Sequence, residues 1–473
     1  VKLALIAITA IAFLIPIKGH AIIFSKEKPL LDSSFVIVNK IVIAGNEKTK
    51  EKVIARELLF QPGDTIYKER LDVLIQKSKD NLFNTSLFNF ITINTIAEHE
   101  KFLSIYIVVE ERWYLWPYVI LEQADRNLSS FLYAKDWSRI NYGLMLVKYN
   151  FRGRRESVKL KVRLGYKEQF QIYYQIPNFL NSKKHGISAE INWFRQKEVQ
   201  YATLYDTPFL RKDYSTYGLK YQNAYFGYSY RKEHNLKHNV TLGFNNATIV
   251  DSIAILNPNY FGNGKTTNQY FSLSYEYDYD KRNYKQYPLT GYNFDGLTTL
   301  KGLSILEDEM PLIWEIQSSF YTYFDLGNRW YSGAGAKLKV SNQKKQPYSI
   351  EQGLGYSDVL RSFEYYLIDG QQLLTGRTFI KYAIIPFSVK QIENLGWKKF
   401  NKIHYSLFAN AFVDQGYVWD IKPDPTNTMP NTYLISFGLG VDLVAYYDQI
   451  IRFEYSMNRK GEHGFFINIG KAF

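Results

Sequence analysis

What most restricts the fold of this chain is a two-residue alternation that recurs between residues 113 and 473 with charge on one face. Val158, Leu160, Val162 and Leu164 point one way; Lys159, Lys161 and Arg163 point the other. Ile451, Phe453, Tyr455 and Met457 alternate with Arg452, Glu454, Ser456 and Asn458. Phe437, Leu439, Val441 and Leu443 alternate with Ser436, Gly438, Gly440 and Asp442, and the last residues, with Phe465, Ile467 and Ile469 against Phe466, Asn468 and Gly470, do the same. A period of two is the mark of a strand.

One such strand also occurs in soluble sheets. Here full charges fill the polar face while the opposite face stays large and apolar, segment after segment, and no convincing amphipathic helix follows Trp113. A sheet closed on itself in lipid explains both faces, apolar outward and polar toward a wet lumen. At roughly 20–24 residues per strand and turn, the segment 113–473 holds about 16 strands. The 40 Tyr and 8 Trp then have a place in aromatic girdles at the two membrane interfaces. The expected fold class is mainly β: a transmembrane antiparallel β-barrel behind one small N-terminal domain.

The first residues agree. Lys2, an apolar run from Leu3 to Ile15, Pro16, and the small residues Gly19 and Ala21 form the pattern of a secretory signal peptide over 1–21, followed by a linker over 22–34. The run of about 13 apolar residues is short for a spanning anchor, which needs roughly 20. A chain that leaves the cytoplasm does not bring its net charge of +13 to nucleic acid; lipid phosphates at the barrel rim and a solvated lumen are the alternatives. With no Cys, the chain has no disulfides, thiolate metal sites or cysteine nucleophiles.

Residues 35–112 read as a compact β-α-α-β-β domain. Phe35–Ala44 is β-rich, Thr49 is placed to cap a helix carrying Val53, Ile54 and Leu58, and Pro62-Gly63-Asp64 breaks it. A second helix covers about Tyr67–Asn84, and strands follow near Phe88–Ala97 and Phe102–Glu110. The edge strand with Phe88, Phe90, Thr92 and Asn94 offers backbone groups to an extended client, or the domain is a spacer.

This arrangement resembles a POTRA domain followed by the barrel of BamA/TamA-type outer-membrane assembly factors. The resemblance rests on Ile43–Lys50 with Val53-Ile54 and Arg56-Glu57-Leu58; on Asp280-Lys-Arg-Asn with Tyr287-Pro288 and Gly291-Tyr292; on Leu360-Arg361-Ser362-Phe363, like the family's sixth-loop signature; on Phe412–Trp419, like its lumen-facing Asp-x-Gly strand; and on the terminal Phe473. The loop signature has Ser362 where the family has Gly, the strand from Gly376 lacks the family's glutamate, and one POTRA domain fits where essential insertases carry several. The resemblance implies that the long loop folds into the lumen. There Arg361 would need a carboxylate, with Asp414, two residues before Gly416, as its partner; otherwise Arg361 is a solvated loop arginine. It further implies an outer-membrane factor that inserts or translocates other proteins through a lateral gate. Its partners would be unfolded outer-membrane proteins, membrane lipids and accessory lipoproteins. The seam would join a first strand at Tyr118 and Val119 to a last strand with Gly464, Ile467, Gly470 and Phe473. Pro117 and the two glycines weaken ladders there, although such glycines also occur where a barrel simply bends.

A dedicated secretion pore for one soluble partner is the second reading, and a passive porin fits the small domain and long loop poorly. Enzymatic function is not expected. No Gly-x-Ser-x-Gly elbow occurs, Asn259 replaces the first Gly of a phosphate loop before Gly264-Lys265-Thr266, and His234 and His238 lie in a strand region. Neither cofactor nor metal is expected.

Overall fold

The computed structural model describes residues 35–99, 101–123, 140–182, 184–211, 215–303, 310–342, 345–391, 402–445, 447 and 449–470. The proposed signal peptide and linker over 1–34, and Phe473, lie outside the described residues.

The N-terminal domain runs β1 (Phe35–Ala44), α1 (Glu51–Ala55), β2 (Thr65–Tyr67), α2 (Lys68–Phe83), β3 (Phe88–His99) and β4 (Phe102–Glu111). Its sheet has the order β2-β1-β4-β3, with β1 and β4 parallel and the other pairs antiparallel. Val53, Ile54, Leu58 and Leu82 from the helical side close over Val38, Ile105 and Ile107 to make one core. Two local expectations are corrected. The first helix is a single turn, and Lys50, not Thr49, is its N-cap, without a side-chain cap bond. Thr49 is diverted: its hydroxyl lies 3.1 Å from the Tyr114 hydroxyl and accepts a hydrogen bond from Asn150 Nδ2 at 2.8 Å, so a contact with the next domain outcompetes the cap. The short β2, which no sequence pattern marked, pairs with the start of β1 after the Gly63 turn at φ 91°.

Sixteen strands then form one sheet. They are β5 (Leu115–Gln123), β6 (Ile140–Phe151), β7 (Glu156–Gly165), β8 (Lys167–Ile176), β9 (His185–Gln196), β12 (Leu219–Glu233), β13 (Leu236–Ile249), β14 (Thr267–Asp280), β15 (Gly291–Leu303), β16 (Ile313–Gly327), β17 (Trp330–Ser341), β18 (Gln372–Gln391), β19 (Lys402–Trp419), β20 (Tyr433–Ala445), β21 (Gln449–Asn458) and β22 (His463–Gly470). Between β9 and β12 a separate hairpin, β10 (Val199–Leu204) and β11 (Thr207–Arg211), stands off the sheet. One short helix, α3 (Asp251–Leu256), interrupts the loop after β13, where the sequence suggested strands and turns alone.

The burial of this sheet is inverted relative to a protein folded in water. Leu439, Phe465 and Ile467 are 59–66% exposed, while Asp414, Ser436 and Asp442 have no exposed surface and Glu454 only 1%. Outward apolar and inward charged residues alternate along the same strands, which is stable only where hydrocarbon is the outer solvent. Contacts across the interior show the sheet rolled up. The Tyr287 hydroxyl, from the turn between β14 and β15, donates to Asp442 Oδ2 on β20 at 2.7 Å. The Trp116 ring of β5 lies 4.7 Å from Tyr447, between β20 and β21.

The far rim is capped. At the tip of the β10–β11 hairpin, Tyr205 and Asp206 take positive φ, and the Asp206 carboxylate accepts from Thr428 Oγ1 at 2.8 Å and from the amide of Met429 at 3.1 Å, while its carbonyl accepts from the amide of Leu367 at 2.9 Å. The sequence suggested that the first and last strands pair to close the barrel. In the sheet β5 and β22 are the two ends, and among the described residues, which stop at Gly470, no ladder joins them.

Candidate functional site

The segment 345–371, between β17 and β18, turns inward and straps the lumen. Its apolar side is built by Leu354, Leu360, Phe363 and Ile368, which pack against Leu373, Val418, Met429 and Leu434 of the wall and neighbouring loop. Leu354 pairs with Ile368, and the amide of Gly355 donates to the Asp358 carbonyl at 2.7 Å, so the segment folds on itself before it reaches the wall. Lys337 of β17 donates to both Asp358 oxygens at 2.6 and 2.9 Å. Gly416 permits the close approach: a Cβ there would meet Leu354 at 3.2 Å and Leu360 at 3.3 Å.

At the tip, Arg361 grips two carboxylates. Its Nε and Nη2 donate to Asp414 at 2.7 and 2.6 Å, a fork on one carboxylate, and Nη1 donates to Glu454 at 3.1 Å. The guanidinium lies 3.4 Å over the Phe412 ring. The network continues toward the other rim: Arg452 Nε sits 3.6 Å from Glu454 and donates to Asp442 at 2.9 Å, and Lys381 Nζ is 3.4 Å from Asp442. Three cations and three carboxylates thus compensate one another inside the wall, which buried charges require. The Tyr287 turn seals this network from below, with Lys381 Nζ 4.0 Å over its ring.

Arg361, Asp414 and Gly416 are therefore in one place, together with Leu360 and Phe363. Sequence reading missed Glu454, Asp442, Arg452 and Lys381 as partners. The alternation had already put Glu454, Asp442 and Arg452 on the inward face, and that was their available signal. Ser362 adopts φ 64°, and its carbonyl accepts from Asn458 Nδ2 at 3.0 Å. This left-handed conformation explains why glycine suits the position. A Ser362→Gly variant is expected to stabilise the barrel by about 1 kcal/mol, relief of roughly 1–3 kcal/mol of strain less the flexibility glycine adds. Thermal unfolding of the folded barrel checks it, and Ser362→Val should shift the midpoint the other way.

The strap also holds the last strands. Tyr365 packs on Phe466 of β22 at 5.9 Å. Of the expected seam residues, Tyr118 and Val119 lie in β5 and Gly464, Ile467 and Gly470 in β22, on the two unladdered ends. Near its base, the strap buries carboxyls. Burial, with Asp420 alongside, pushes the Glu351 carboxyl up to about 8, and burial pushes Asp369 up to about 6.

The N-terminal domain sits on the near rim. Arg231 at the end of β12 forks onto Glu57 at 2.8 and 2.7 Å, with Arg56 Nε at 3.0 Å and Arg155 Nη1 at 3.5 Å on the same carboxylate. Burial alone raises the Glu57 carboxyl, but Arg231, Arg155 and Arg56 together hold it well below the usual carboxylate range. Asn84 donates to the Asn283 carbonyl at 3.2 Å and accepts from the Lys285 amide at 3.0 Å. In this domain β3 is an edge strand paired to β4 alone, with Thr92 and Asn94 exposed and Phe90 half-buried. Phe88 is a correction: it has no exposed surface and belongs to the core, and its carbonyl is taken by Arg112 Nε at 2.9 Å, so it is closed to a client.

Comparison with known proteins agrees with this geometry. Residues 36–112 match the POTRA family, described as a surface antigen variable number repeat, and residues 150–473 match the Omp85 superfamily domain. The chain belongs to the Omp85 superfamily, as an outer-membrane barrel protein with a periplasmic POTRA domain. Such proteins serve the insertion or secretion of other proteins at the outer membrane. Among solved structures, the fold is similar to BamA from Haemophilus ducreyi lacking POTRA domains 1–3 (TM-score 0.52, 14% identity, 92% of this chain and 85% of that one). It is similar as well to CdiB from Escherichia coli (TM-score 0.54, 12% identity, 93% and 76%). The comparison with curated proteins returns no match.

Proposed function

We propose that this protein inserts β-barrel clients into the outer membrane through the seam between β5 and β22, with the POTRA edge strand receiving unfolded clients. The observation that carries the reading is the pair of sheet ends without a ladder between them among the described residues. An unpaired strand edge in hydrocarbon is costly, so an incoming client strand that pairs with β5 or β22 gains hydrogen bonds the membrane cannot supply. The strap keeps β21 and β22 fixed through Glu454, Asn458 and Phe466 while the seam works. The work is non-enzymatic: strand pairing and burial of apolar faces in lipid supply the driving force. Outer-membrane lipids and accessory lipoproteins are further partners in this reading.

Linking the seam with Val119→Cys and Ile467→Cys tests it. A locked seam is expected to stop client assembly, with activity restored by reductant; unchanged assembly in the locked form would refute the lateral route. A second reading, export of one dedicated soluble partner, draws on the inward Lys159, Lys161 and Arg163 of β7, since the strap's grips described above fall on other strands. Depletion separates the two: many barrels fall if the protein is an insertase, and one surface or secreted protein is lost if it is an exporter.

A further inference from the structure

Between the POTRA domain and the near rim lies a cavity of about 620 Å³ that neither the strap nor the seam uses. Its walls come from the turn after α1 and from α2 on one side and from barrel turns and strand ends on the other. Nine basic side chains line it against four acidic ones. Much of the acid is already spent: Glu57 is shared by three arginines, and Asp280 by Arg282 and Lys285. The surplus is therefore positive, and part of it is buried. Arg56 is only 8% exposed, donates through Nε to Glu57, and leaves Nη2 without a hydrogen-bond partner. Arg56 lines the cavity while its Nη2 is closed off behind the wall, so what the cavity offers an anion is the surplus positive charge of its lining.

We propose that this cavity is a binding site for an acidic stretch of an unfolded client polypeptide, whose carboxylates meet Arg56 and the surplus lysines. The proposal rests on the client reading above. A peptide fits the chemistry better than a compact phosphate. The cavity has the volume of a small-molecule pocket, far more than a single ion fills. Alongside the cations it presents side-chain amides, Asn81, Asn235 and Gln175 among them, which suit peptide groups. On the barrel side it meets Gln175 of β8, Ser229 and Arg231 of β12 and Lys237 of β13.

The test is direct binding, which needs no insertion activity and so fails independently of the lateral-gate reading. The full chain in nanodiscs is titrated with a labelled ten-residue peptide of alternating Glu and Val, and with its Gln-Val counterpart. The acidic peptide is expected to bind at least tenfold more tightly, with the difference shrinking as salt rises. Arg56→Gln should weaken it about tenfold. Because Arg56 lies in the POTRA core region, the exposed rim pair Lys77→Gln/Lys184→Gln is made as well and should weaken binding about threefold in a normally folded protein. Equal binding of the two peptides, no loss in the rim pair, or full displacement of the acidic peptide by equimolar inorganic phosphate would overturn the proposal.

Discussion

Replacing Arg361 with Ala is expected to cost the barrel about 3–5 kcal/mol, the range for removing one partner from a buried ion pair. The reason is what remains: Asp414, fully buried, and Glu454, 1% exposed, would face each other's charge inside the wall. Arg361→Lys should fall between, since it keeps the charge and loses the fork onto Asp414. Asp414→Ala alone should also destabilise. The double variant should cost less than the sum of the two, with a coupling of about 1–3 kcal/mol, because it removes the pair together. The temperature at which the folded barrel unfolds on semi-native gels measures all four. If Arg361→Ala stays within about 0.5 kcal/mol of the parent, a typical surface effect, the arginine is a solvated loop residue and the strap is held by Leu354, Leu360 and Phe363 alone.

The alternation made the barrel legible because lipid imposes one rule on every strand: outward apolar, inward polar. Leu160, Phe437, Phe453 and Ile467 obey it, and their exposure in the structure follows. The same rule assigned Asp442, Arg452 and Glu454 their face but not their partners. Which inward charge meets which depends on how far the sheet curls and on what enters the lumen, and Tyr287 enters from a turn six strands away from Asp442. Arg361 and Asp414 were found through a resemblance between short motifs, since a separation of 53 positions carries no local signal of the contact. The failures were local rules overridden by neighbours. Thr49 is a good cap by type and serves a domain contact instead. Phe88 begins an edge strand yet is covered, because its ring packs into the core of the domain while Arg112 takes its carbonyl. The seat of the POTRA domain on the rim had no visible pattern at all, since Glu57, Arg155 and Arg231 are scattered in sequence.

That seat yields the second large effect. Glu57 is 1% exposed and is the one carboxylate shared by Arg56, Arg155 and Arg231. Glu57→Ala leaves three cations crowded at the joint, and the POTRA domain is expected to lift from the rim at a cost of about 3–5 kcal/mol. Limited proteolysis of the 45–60 segment and amide exchange at residues 150–155 and 231–235 would both rise. Acidification should act in the same direction. The Glu57 carboxyl is held below its unfolded value near 4.5, so its contribution is complete above that pH and is lost as pH falls below it through the depressed folded value. Exchange at the joint should therefore be flat from pH 7 to about 5 and increase below about 4, whereas Glu57→Gln should show raised exchange at every pH and no acid step. An acid step that survives in Glu57→Gln would assign the release to another carboxylate, with Asp280 beside Arg282 and Lys285 as the nearest alternative on the same cavity wall.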